Sequence, residues 1–86
     1  MLIASLDGEE VNADRLPGSF VPWRDICRGA RCVHYDEVAG VIHIWNGNGT
    51  VKTYDACGRM IDFWKYSRPV NLGKVIADMK TRSGVS

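Results

Sequence analysis

The sequence predicts an α+β domain: a four- or five-stranded antiparallel β-meander with a C-terminal helix packed on one face and a short helix before the meander. Three observations carry that expectation. Residues 32–65 fall into four short runs rich in Val, Ile, Tyr and Trp, separated by three turns that each contain glycine. Leu72, Val75, Ile76 and Met79 recur at i, i+3, i+4 and i+7, the spacing of one helix face. The chain has 86 residues, enough for a single domain (1–86) with a thin core, a size at which association with another chain is a common remedy.

Taken in order, residues 2–6 form a short apolar run suited to a fifth strand, and residues 8–18 are polar and turn-rich, as in a loop. Residues 22–28 open with Pro22 at a first helical position and put Trp23, Ile26 and Cys27 at helical spacing; one or two turns of helix are expected there, ended by Gly29. Four strands follow. In the first turn between them, Asp36-Glu37-Val38-Ala39-Gly40, a four-residue loop with Gly40 in the left-handed region sets His34 opposite His43 and puts Val33 and Tyr35 on the apolar face.

The second turn contains Asn46-Gly47-Asn48-Gly49, and Asn-Gly is a strong signal for a two-residue type I′ hairpin. Either Asn-Gly pair puts Ile42, Ile44, Val51 and Thr53 on one face, with His43, Trp45, Lys52 and Tyr54 on the other. For the third turn, a three-residue loop with Gly58 left-handed pairs Asp55 with Arg59, sets Lys52 opposite Asp62, and brings Ile61 and Phe63 beside Val51 and Thr53. The expected result is an apolar face and a mixed aromatic and polar face of Cys32, His34, His43, Trp45, Lys52, Tyr54, Asp62 and Trp64.

The run Tyr54-Asp55-Ala56-Cys57-Gly58-Arg59-Met60 resembles the YDxxGRL hairpin signature of YD-repeat proteins. With seven residues and a single occurrence, the likeness implies a hairpin turn and carries no function across. Arg68 before Pro69 is biased away from helix, which makes residues 67–70 a linker. Asn71 then caps the second helix, Lys80 and Arg82 suit its carboxyl end, and the helix is expected to cover the apolar sheet face.

Composition excludes more than it selects. Eleven basic against ten acidic residues leave a net charge of +1, too little to announce nucleic acid or an anionic membrane. No apolar run approaches the ~20 residues of a membrane span, and the first seven residues lack the basic region and apolar length of a signal peptide. Cys27, Cys32 and Cys57 are odd in number and form no disulfide framework, which points to a reducing compartment, the cytoplasm.

Cys32, His34 and His43 share a face in these registers, with Cys27 five positions before Cys32. Zinc needs four nitrogen or sulfur ligands, and this spacing is unlike a finger or ribbon, so no metal or cofactor is expected. A nucleophilic Cys32 with His34 or His43 as base, oriented by Asp36 or Asp62, would also need a pocket that so short a chain barely encloses. No enzyme is expected.

Binding fits the residue types better. Trp45, Tyr54, Met60 and Trp64 are of kinds enriched at interface hot spots. The residues expected to meet a partner are Trp45, Tyr54, Trp64, His43, Lys52, Arg24, Arg28 and Arg31. The expected partner is a protein, a second copy of the chain included. A lone compact module of this kind is also the format of many phage- and mobile-element-encoded accessory and inhibitor proteins, anti-CRISPR proteins among them, a likeness of size and style. The alternative is a single-stranded nucleic-acid binder that stacks bases on Trp45, Tyr54 and Trp64 and holds phosphates with Lys52, Arg24, Arg28, Arg31 and Arg59. Asp25, Asp36, Glu37 and Asp62 dilute that basic patch. The competing bland reading has the Trp23 helix cover the aromatic face, making it a second small core.

Overall fold

The computed structural model of the chain describes residues 2–4, 16–18 and 20–82. Its elements are β1 (Leu2–Ala4), α1 (Trp23–Ile26), β2 (Cys32–Asp36), β3 (Val41–Trp45), β4 (Thr50–Asp55), β5 (Met60–Lys65) and α2 (Leu72–Arg82). The strands form one antiparallel sheet in sequence order, β1 to β5. The expected α+β meander with its two helices is therefore present, and the first run does supply a fifth strand. Ser5, Leu6 and residues 8–15 of the expected 8–18 loop lie outside the described residues.

The β2–β3 turn follows the expected geometry. Gly40 is left-handed at φ 71°, His34 pairs with His43, and Tyr35 pairs with Ile42. The Asp36 carboxylate holds the turn by accepting from the Val38 and Ala39 amides at 3.0 and 3.1 Å.

The β3–β4 hairpin differs from expectation. Trp45 pairs with Val51 and His43 with Thr53, so His43 and Trp45 share a face with Thr53 and Val51, and Lys52 and Tyr54 lie on the other side. Gly47 alone is left-handed in this turn, and no non-glycine residue among those described has positive φ, so no type I′ turn forms. The Asn48 side chain instead accepts from the Thr50 amide at 2.9 Å, and the Asn48 backbone carbonyl accepts the Trp45 indole N–H at 2.7 Å. These two bonds favour an odd-length loop, which turns β4 over relative to the two-residue hairpins.

In the β4–β5 turn Gly58 is left-handed (φ 83°) and the Asp55 amide donates to Arg59, as expected. The register then slips between Thr53 and Tyr54 through a β-bulge: Tyr54 pairs with Met60, but Thr53 pairs with Asp62 and Val51 with Trp64. Lys52 therefore faces Phe63 rather than Asp62, and Ile61 and Phe63 do not join Val51 and Thr53.

These two register changes produce two cores. On one sheet face Val33, Ile42 and Ile44 pack with Leu16, Val21, Trp23, Cys27 and Ala30. On the other, Cys32, Trp45, Val51 and Trp64 pack under Val75 and Met79 of α2. The expectation that α2 covers the aliphatic face is thus corrected: the segment around α1 covers it, and α2 lies on the tryptophans. α2 starts as expected, with the Asn71 side chain accepting from the Lys74 amide at 2.9 Å.

Candidate functional site

The sheet face under α2 is built in two cross-strand rows. The first is Cys32–Trp45–Val51–Trp64, and the second is His34–His43–Thr53–Asp62. Of the expected partner-binding residues this face brings together only His43, Trp45 and Trp64, all buried. Lys52 is exposed on the opposite face, where Tyr54 is half-buried with the Trp23 ring set edge-on at 6.3 Å. Arg24 and Arg28 are exposed on and just after α1, with Arg28 held to Asp25 at 3.1 Å. The Arg31 guanidinium lies 5.9 Å from the Trp45 ring. The expected single recognition face is thus divided among two sheet faces and the α1 segment.

The first row is a packed core. Burying an indole removes on the order of 150–250 Å² from water, about 4–6 kcal/mol at ~25 cal/mol per Å². That outweighs the ~0.5–2 kcal/mol of the Arg82 guanidinium, which stands 4.4 Å above the Trp64 ring. At the start of the helix the Tyr66 hydroxyl donates to Asp78 at 2.7 Å and Lys74 reaches the same carboxylate at 3.4 Å. The Tyr66 hydrogen bond, more than the lysine, holds the Asp78 carboxyl below its ordinary range.

Cys32 faces the Met79 sulfur at 3.9 Å, and burial pushes its thiol up to about 11. Cys27, in the other core, is pushed up to about 11 for the same reason. Both thiols are therefore protonated at neutral pH. Among the described residues no three His, Cys, Asp or Glu side chains converge as a metal site.

The second row is polar, and His34, His43 and Thr53 are buried while Asp62 at its end is exposed. His34 and His43 stack with centroids 6.0 Å apart and planes 9° from parallel. His43 Nδ1 is 2.7 Å from the Thr53 hydroxyl, and the Trp64 ring meets the His43 ring edge-on at 5.3 Å. Burial, and then the neighbouring His34, pull the His43 imidazole down to about 4; burial also lowers His34. His34 Nδ1 and Asp36 Oδ2 are buried without a hydrogen-bond partner.

Exposed large apolar side chains lie elsewhere, singly at Phe20 and Val38 and as a group of three on the end strand. Met60, Ile61 and Phe63 of β5 are each about half exposed, at 50, 52 and 51%. Lys52 pairs across from Phe63, the Lys65 ammonium lies 5.8 Å from the Phe63 ring, and Arg59 is exposed beside Met60. Sequence pattern alone assigns Ile61 and Phe63 to the core. The available signal was the doubled apolar pattern Met60-Ile61-Asp62-Phe63-Trp64, which suits either face and is resolved only by the bulge.

Comparison with known protein families, with curated proteins and with solved structures returns no match.

Proposed function

We propose that this chain is a small protein-binding module without catalytic activity, and that it meets its partner on the open β5 side of the sheet rather than on the tryptophan face. The observation that carries this is the half-exposed cluster of Met60, Ile61 and Phe63 on an end strand. An apolar patch rimmed by polar residues is the usual mark of an interaction surface. Lys52 and Lys65 flank Phe63 and Arg59 adjoins Met60, outnumbering Asp62, whose carboxylate accepts from the Phe63 amide at 2.8 Å. The complementary partner is a protein surface with an apolar centre and acidic edges.

Two of the three patch residues, Met60 and Ile61, are not aromatic and offer a base nothing to stack on, which favours protein over single-stranded nucleic acid. The tryptophans that would serve as stacking platforms are under α2. Three thiols free of disulfides support a reducing compartment, the cytoplasm. Among the described residues no helix is long and apolar enough to cross a membrane.

Photo-crosslinking tests the reading. A benzophenone amino acid at position 63 should capture a discrete protein in cells of the source organism, and the same group at the more accessible position 38 should not. Charge reversal at Lys52 and Lys65 should abolish the product. A nuclease-sensitive product would favour nucleic acid, a product of twice the chain mass would make the partner a second copy, and equal labelling from both positions would refute the β5 surface.

A further inference from the structure

We propose that the stacked His34–His43 pair is a proton-operated latch for α2: proton uptake by the pair loosens the helix and uncovers Trp45 and Trp64. The pair lies on the face opposite the Phe63 patch, so the latch is independent of the binding reading.

The latch follows from what the two imidazoles touch. His43 packs edge-on against Trp64 at 5.3 Å, and the Arg82 guanidinium of the last helical turn stands on the same indole at 4.4 Å. A charge on the pair therefore arises next to the cationic end of α2. Two parallel buried rings 6.0 Å apart also cannot both become charged without strong mutual repulsion. The charged groups around the pair oppose one another. Asp36 of β2 and Asp62 of β5 favour a proton there, Lys80 opposes it at His34, and Arg82 opposes it at His43. Thr53 of β4 contributes a neutral hydroxyl at 2.7 Å. The Asp36 carboxylate is partly engaged, one oxygen accepting two turn amides. Burial exceeds each of these influences, so the closed form keeps the pair neutral and the proton favours a form in which water reaches the rings.

The helix, rather than the whole domain, is the element that yields. Only Val75 and Met79 of α2 are fully buried, and the helix joins the sheet through the 66–71 segment. The core on the other sheet face, around Trp23, Ile42 and Ile44, includes no α2 residue and remains when the helix lifts.

The test is amide hydrogen exchange of the full chain at pH 7.0 and 5.0, each corrected for intrinsic rates. With a closed-form His43 at about 4 and an ordinary 6.5 once released, the opening constant of α2 should rise roughly twenty-fold over that interval. Core amides of β3 and β4, which exchange only through global unfolding, should stay better protected than those of α2 at both pH values. In the His34→Asn/His43→Asn variant, where the amide introduced at position 43 keeps a partner for Thr53, the α2 rates should be flat. Equal acceleration in that variant, or protection of α2 equal to that of the sheet core at both pH values, would overturn the latch. Imidazole titration by NMR in the unmodified chain is the second measurement, and it holds even where the variant fails to fold. At least one histidine should titrate well below 6.5; two ordinary midpoints would also overturn it.

Discussion

His43 and Thr53 face each other across β3 and β4, imidazole Nδ1 to hydroxyl oxygen at 2.7 Å, both buried. The pairing has a direct consequence for stability. Thr53→Val keeps the shape and removes the hydroxyl, leaving a buried ring nitrogen short of a partner. The expected cost is about 1–3 kcal/mol, read from urea denaturation at pH 7.5.

The same histidine sets an acid limit. Its folded value of about 4 lies below the ordinary 6.5, so the unfolded chain binds the extra proton first. The contribution to stability is full above pH 6.5, declines as the pH falls, and is lost once it passes below 4. The difference is about 3 kcal/mol. Denaturation midpoints between pH 7.5 and 3.5 should show this decline, and His43→Asn should flatten part of it.

Trp45→Ala and Trp64→Ala should each cost about 3–5 kcal/mol, independent of protein concentration, because both rings are buried within one chain. Phe63→Ser should change stability by under ~1 kcal/mol, since the ring is half exposed. Equilibrium unfolding of the three variants at two concentrations decides both points. A mild Trp64 variant would mean that α2 does not hold its place on the sheet.

Gly58→Val should be poorly tolerated for two reasons. A β-branched residue is strained at φ 83°, by roughly 1–3 kcal/mol, and a Cβ there would stand 2.6 Å from Val21 Cγ1. Gly40→Ala meets nothing within 4 Å and carries only the backbone strain, so it should be the milder change. Thermal midpoints rank the two.

The three thiols should separate by rate. Cys57 is exposed, whereas Cys27 and Cys32 are buried and pushed up to about 11. A disulfide reagent at pH 8 should modify one thiol per chain quickly, and Cys57→Ser should remove that phase. The remaining two should react only as fast as the fold opens.

The sequence alone determined the element order, the caps and the turns that depend on one residue. Gly40 and Gly58 are left-handed as read, Asn71 caps α2, and the periodicity of Leu72, Val75, Ile76 and Met79 marks the helix. Local φ preferences and side-chain reach decide these features. Which face each strand residue occupies was settled only in three dimensions. β4 is turned over by the bonds that Asn48 makes to Thr50 and Trp45, and β5 obeys one register at its turn and another beyond the bulge. Because strand side chains alternate with period two, each one-residue shift exchanges the faces completely. Those shifts hid Trp45 and Trp64 beneath α2 and left Ile61 and Phe63 in solvent. The candidate binding surface moved with them, from the residues that looked most functional in the sequence to those that looked most like core.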